Sequence, residues 1–442
     1  MKEFFGNEVI LASDTAVELY NAVKDLPIMD YHCHLVPQQI AENITFENIG
    51  EMWLAADHYK WRTMRICGVD EYYITGGASF KEKFMAFAEI MPKLVGNAVY
   101  YWAHFELRQI FGVTLPLNTK NAEAIWNACN EKIATLDVNG ILKQFNVEFI
   151  ATTDDPIDSL EYHGTWGGAK VTPTFRPDKV FLLDDAYMAQ LSTASGIAIT
   201  DVASLVAAVE NRLDYFVSKG CKISDHGMEN IPTFCDAEEA QTIYENRANL
   251  TACDREKFTG FILCEIARMC KKRDVAMQWH FSVIRNVNTP MFEKVGVDAG
   301  FDVFTDTIKA KNLTNIFNHL AKQDNLPKVI LYTLNPYVDK MICAISGAFP
   351  NVRVGTSWWF NDTLEGTREH LKAVMEYGVL GVHLGMLTDS RSFTSYVRHD
   401  FFRRIVVNMV AELVEKGEYD FETAASLLQD ICYNNIKAYL NL

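Results

Sequence analysis

Apolar residues along this chain gather in eight short runs, each ending in polar or turn-forming residues: 28–34, 147–153, 170–175, 221–226, 275–281, 328–334, 352–358 and 379–387. Runs of this length bounded by turn signals predict buried parallel strands. Between most of them the spacing changes to the helical period, as in 199–219 and 258–272. Eight strands alternating with helices predict an α/β fold, a (β/α)8 barrel of the TIM type. The interval 35–144 is far longer than one crossover helix requires, and 80–91, 98–111 and 122–136 within it read as amphipathic helices. It is expected to be a helical insertion in the first βα connection, on the barrel face where loops build active sites. With no repeat, low-complexity tract or linker, residues 1–442 are expected to form one domain.

Composition narrows the function. Of 442 residues 49% are apolar and 22% charged, which suits a large core rather than a disordered chain. With 41 basic against 57 acidic residues the net charge is −16, and neither nucleic acid nor an anionic membrane is an expected partner. The ten cysteines form no CxxC pair, the first residues lack the pattern of a secretory signal, and no run of about 18 apolar residues occurs. A cytoplasmic protein is expected. A GxGxxG turn, a phosphate loop and a GxSxG elbow are all missing, so nucleotide and serine-hydrolase chemistry lack their motifs.

Candidate chemistry gathers at the strand ends. The first run closes on His32-Cys33-His34, and residues two apart in a strand share a face, so both imidazoles can grip one metal ion. Alone, such a pair is also compatible with two hydrogen-bonded histidines. Asp389 follows the last run, as a helix N-cap or as a ligand over the barrel mouth; strands one and eight adjoin in a closed barrel, which would set it beside the pair. His226 and His280 end two further runs. Arg176, Arg285 and Arg391 follow strand ends, and three guanidinium groups on one face suggest an anionic substrate held through paired hydrogen bonds. The 57–62 run (Asp-His-Tyr-Lys-Trp-Arg) and the aromatics at 358–360 stand out as well, Trp358 as a candidate pocket wall.

Taken together, these blocks resemble the uronate isomerase (glucuronate isomerase) family of the amidohydrolase superfamily, whose members are metal-binding (β/α)8 barrels. The matching blocks, spread over nearly the whole chain, are 32–34, 57–62, Thr153-Asp154-Asp155-Pro156, Phe175-Arg176-Pro177-Asp178, Ser224-Asp225-His226-Gly227, Gly300-Phe301-Asp302, 358–362 (Trp-Trp-Phe-Asn-Asp) and 385–393 (Gly-Met-Leu-Thr-Asp-Ser-Arg-Ser-Phe). The resemblance implies interconversion of D-glucuronate with D-fructuronate and of D-galacturonate with D-tagaturonate. It implies one divalent metal, zinc as first choice, on His32, His34 and Asp389, with His280 where the superfamily often has another ligand, and no organic cofactor. Trp279 and Phe281 flank His280 where aliphatic residues are expected.

An aldose becomes a ketose when the C2 proton moves to C1 through an enediol, which needs an acid/base group near C1 and C2 and an electrophile near the oxygens. Asp389, with the metal or its water, is assigned the proton. Tyr59 and His58 are candidates for transfers at the sugar oxygens. Arg391 and Arg176 would hold the carboxylate or neighbouring hydroxyls, with Arg285, His226 and Trp358 as further substrate contacts. Two alternatives are a metal-dependent hydrolase on the same barrel and a non-enzymatic sugar-acid binding protein; a homo-oligomer is open.

Overall fold

The computed structural model describes residues 3–306 and 308–442. Its strands are β1 (Ile28–Asp30), β2 (Val147–Ala151), β3 (Gly164–Trp166), β4 (Ala169–Thr172), β5 (Ile223–Gly227), β6 (Ala276–Phe281), β7 (Val283–Ile284), β8 (Val303–Phe304), β9 (Val329–Thr333) and β10 (Val352–Val354). Seven of the eight expected runs overlap one of them. The short β3 and the β7–β8 hairpin lie outside those runs, because a two- or three-residue strand carries almost no periodicity to read.

The strands form two four-stranded sheets, ordered β1-β2-β4-β3 and β10-β9-β6-β5, and every pairing in them is parallel except β3 with β4. Phe175 joins the sheets, bridging in parallel to Asp154 on one side and Ser224 on the other. Parallel strands need apolar cover, and the long helix Ala252–Arg273 packs against both β6 and the helix Val202–Ser218. Trp279 shows the division of labour. It is fully buried against Phe317, while its neighbour His280 stacks on Tyr332 with ring centroids 4.4 Å apart. The flanking aromatic thus belongs to the packing between sheet and helix.

The eighth run departs from expectation. Residues 379–387 contain a 3-10 turn, Leu380–Val382, and no strand. Gly385 has φ +74, and a Cβ there would lie 2.4 Å from the Ile431 carbonyl oxygen, so the backbone bends to pass the C-terminal helices. From 383 to 387 the apolar run reflects burial, which an irregular segment shares with a strand, while Val379 and Val382 are exposed. This segment nevertheless returns to β1. Asp389 N–H donates to the His32 carbonyl (3.0 Å) and His34 N–H to that of Ser390 (2.9 Å).

The stretch between β1 and β2 is helical, as expected: Phe80–Ile90, Ala98–Gln109 and Ala122–Ile133 all form, joined by shorter helices that include His58–Ile66. Ser79 and Glu82 close a reciprocal capping box at the start of the first of these. Among the described residues no helix is long and apolar enough to cross a membrane.

Asp30 secures the return of the last segment. Its fully buried carboxylate accepts Thr388 N–H at 2.8 Å and Thr388 Oγ1–H at 2.7 Å. Asp30→Ala leaves both buried donors without an acceptor and is expected to lower unfolding free energy by about 2–3 kcal/mol, measured by denaturant titration.

Candidate active site

His32 and His34 follow β1 and converge on Asp389, arriving from the far end of the chain. Each Nε2 lies near the same carboxylate oxygen, Asp389 Oδ1, at 3.2 Å from His32 and 3.1 Å from His34. The other oxygen, Oδ2, accepts Trp358 Nε1–H at 2.7 Å, which fixes the plane of the carboxylate. Asp389 has φ 45, a left-handed backbone that turns its side chain back toward β1. Burial alone would push its carboxyl up, but the His32 and His34 contacts hold it well below the ordinary range. Burial pushes His34 down to about 4, so it is neutral at pH 7 and keeps a lone pair to share.

These three residues can hold a metal ion. With metal–ligand bonds of about 2.0–2.1 Å, tetrahedral ligands sit roughly 3.3 Å apart, close to the spacing seen here. A second grouping, His32, Asp225 and His280, shares the His32 ring. His280 stacks on His32 with ring centroids 4.8 Å apart, and Asp225 Oδ1 accepts its Nδ1–H at 2.8 Å. The His280 Nε2 is buried without a hydrogen-bond partner. A carboxylate orienting one imidazole nitrogen while the other points inward is the usual support of a metal-facing histidine. The donor set therefore fits a divalent ion.

A cleft of about 670 Å³ opens beside the cluster, lined by His32, His34, His58, Arg176, His280, Arg285, Trp358, Asp389 and Arg391 among others. Most of the residues expected at the site thus meet in one place. Tyr59 and His226 are outside the lining. The Tyr59 ring is buried between His58, stacked at 4.7 Å, and the Arg398 guanidinium, 4.8 Å from its centroid; burial, with Asp389 nearby, raises its hydroxyl pKa. His226 is fully buried, its Nε2 2.8 Å from Ser224 Oγ.

The neighbour of His226 is the informative residue. Alternation along β5 sends Asp225 to the opposite face, where its carboxylate bridges His280 and Arg176 Nη1 (3.1 Å). Burial opposes ionisation of Asp225, yet Arg176, His32 and His280 hold its pKa well below the ordinary range. The strand-end rule pointed to His226 because histidine is the commoner functional residue; the parity that brings Asp225 to His280 could have found its neighbour.

Each cleft arginine already has a carboxylate. Arg176 also pairs with Asp178 (3.2 Å), Arg285 with Asp302 (2.6 Å) and Arg391 with Asp298 (3.0 Å). Arg391 Nη1 lies 3.1 Å from His58 Nδ1. Burial and Arg391 push His58 down to about 4, so the neutral ring accepts this hydrogen bond. Asp178 and Asp302 lay within the matching blocks without an assigned role, and Asp298 had no signal in the local sequence, because its role depends on Arg391 far along the chain.

Comparison with known proteins identifies the family. The glucuronate isomerase family profile matches residues 1–440. A uronate isomerase of Shouchella clausii (strain KSM-K16) is 42% identical over 464 residues, covering 99% of this chain and 98% of that protein. One of Bacillus subtilis (strain 168) is likewise 42% identical over 464 residues, with the same 99% and 98% coverage. Among solved structures, a uronate isomerase from Thermotoga maritima superposes with a TM-score of 0.96 at 33% identity, covering 99% of this chain and all of that one (100%). A glucuronate isomerase from Caulobacter crescentus gives 0.93 at 27% identity, with 99% and 97% coverage. The chain belongs to the uronate isomerase family, an enzyme family that isomerises glucuronate and fructuronate.

Proposed function

We propose that this chain interconverts D-glucuronate with D-fructuronate and D-galacturonate with D-tagaturonate in the cleft beside His32, His34 and Asp389. The observation that carries the reading is the Asp389 carboxylate, held between His32, His34 and Trp358 and facing a cleft that also holds three guanidinium groups. The architecture belongs to the proposal as well: one domain over 1–442, a (β/α)8 barrel closed by the 384–389 segment, with 35–144 inserted after β1. So does a cytoplasmic location, supported by ten cysteines that are all free thiols.

His32, His34 and Asp389 would hold one divalent ion, zinc by preference, with His280 as a further ligand or an orienting neighbour. When bound, the ion supplies an electrophile beside the sugar oxygens. The chain's own groups do the rest. Arg391, Arg176 and Arg285 receive the substrate carboxylate or adjacent hydroxyls, Arg391 with its plane set by His58 and Asp298. Trp358 orients the Asp389 carboxylate and closes one wall of the cleft. Asp389 takes the C2 proton and returns it at C1, a transfer that needs an ionised carboxylate held in place. His58, neutral at pH 7, serves proton movement at the oxygens. Tyr59 acts through the His58 ring it stacks on, and His226 through the β5 backbone rather than by touching substrate.

The purified protein is expected to isomerise glucuronate without nicotinamide, ATP or another organic cofactor, and ketose formed in deuterated water should carry label at C1. Folded, metal-loaded protein that converts no hexuronate overturns the reading. His32→Ala or His34→Ala is expected to lower bound metal measured by elemental analysis, since water replaces an imidazole nitrogen poorly at a d-block ion. Asp389→Asn keeps size and an oxygen that can accept the Trp358 N–H, so unfolding should be nearly normal while kcat falls roughly 10²–10⁴-fold, the contribution of a positioned acid/base group. Metal content measured on the same sample separates loss of the base from loss of the ion.

A further inference from the structure

The site described above makes no use of Arg62, although it belongs to the 57–62 block, or of Arg65 one turn further along the same helix. Neither lines the cleft. Both grip the 298–302 segment instead. Arg62 Nη1 donates to the Gly300 carbonyl at 2.8 Å and to that of Asp302 at 3.0 Å. Arg65 Nη1 donates to the Ala299 carbonyl, while its Nε and Nη2 are held by the two oxygens of Glu71 at 2.8 and 2.7 Å. The Arg62 guanidinium lies 4.6 Å from the Phe360 ring centroid and that of Arg65 4.4 Å from Phe301. At Gly300, with φ +90, a Cβ would stand 2.9 Å from the His58 carbonyl oxygen, so only glycine lets the segment press this closely on the helix.

The clamped segment carries the two acids that meet cleft arginines. Asp298 pairs with Arg391, and Asp302 with Arg285 while also accepting Asn286 N–H at 2.8 Å. An unheld guanidinium samples many rotamers, and its planar fork matches a carboxylate only in one orientation. We propose that Arg62 and Arg65 are positioning residues for hexuronate recognition: they clamp the 298–302 segment so that Asp298 and Asp302 orient Arg391 and Arg285 toward the substrate carboxylate. This rests on the reading that those two arginines bind the carboxylate.

Steady-state kinetics with D-glucuronate test it on the metal-loaded enzyme. Arg62→Met, which removes two hydrogen bonds to the segment, and Asp298→Asn, which removes the charge facing Arg391, are each expected to raise KM about tenfold, with kcat within about twofold of the parent. Metal content should be unchanged in both, and so should the unfolding midpoint of Asp298→Asn, whose side chain is half-exposed. The double variant should raise KM by less than the product of the single effects, because Arg62 reaches Arg391 through the segment that bears Asp298. Parental KM in Asp298→Asn, or multiplicative effects in the double variant, overturns the clamp. Asp298 is a half-exposed loop residue, so its variant decides the matter even where Arg62→Met fails to fold. Arg391→Lys in the same assay separates the two claims. If it leaves KM unchanged, carboxylate binding by Arg391 falls and the clamp with it; if it raises KM while the other variants behave as the parent, the clamp alone falls.

Discussion

Asp389 joins the two ends of the functional chain. One oxygen faces both His32 and His34, the other takes the Trp358 indole N–H, and its backbone N–H donates to the His32 carbonyl. A buried carboxylate without such partners would cost several kcal/mol and take up a proton instead. Here the imidazoles hold it ionised, so the contact that keeps the charge also brings the last segment against the first strand. Asp30 and Thr388 repeat the join two residues deeper, and Arg398 Nη1 donates to the Thr388 carbonyl at 2.9 Å. Geometry and charge at the centre of the site are therefore consequences of one convergence.

Around that centre the cleft is built from compensated charges. A protein of net charge −16 that takes an anion needs local cations, and burying them unpaired would be costly. Arg176 lies between Asp225 and Asp178, and this crowding has its own effect: burial, with Asp225 beside it, pushes Asp178 up to about 6, while Arg176 opposes the shift. Arg285 and Arg391 sit nearer solvent, each with one acid. Each guanidinium has five N–H donors, so a carboxylate on one edge leaves others for a ligand. The pairs fix orientation without using up the recognition capacity of the fork.

The helical stretch between β1 and β2 reaches the cleft through His58. Asp57 caps its helix by accepting Tyr59 N–H at 2.9 Å and pairs with Lys60 Nζ at 2.6 Å, both residues buried. This helix start places His58 against Arg391 and packs Tyr59 against Arg398, while the outward turn carries Arg62 and Arg65 to the 298–302 segment. Four consecutive uses of one short helix explain why the block is so rich in polar and aromatic residues, and why it reads in isolation like an ordinary exposed surface.

Much of this was legible in the residues themselves. Alternating apolar runs and helical periods located seven of the parallel strands and the long helices, because burial on a regular element imposes a local period. His32, His34, His280, Asp389 and the three arginines stood out at strand ends, where a parallel α/β fold exposes side chains to ligand. Tertiary structure decided the rest. The second half of the 379–387 run is apolar because it is enclosed, and only its neighbours show that it bends at Gly385 instead of pairing as a strand. Asp225 rather than His226 faces His280, a matter of strand parity settled by the register of β5 on β6. Asp298 and Asp302 gain meaning from arginines distant in sequence or across a turn, and Tyr59 lies outside the cleft lining, between Arg398 and His58. Local sequence carries the period of an element and the chemistry of a side chain; which side chains meet is set by packing between elements far apart in the chain, and no local pattern encodes that distance.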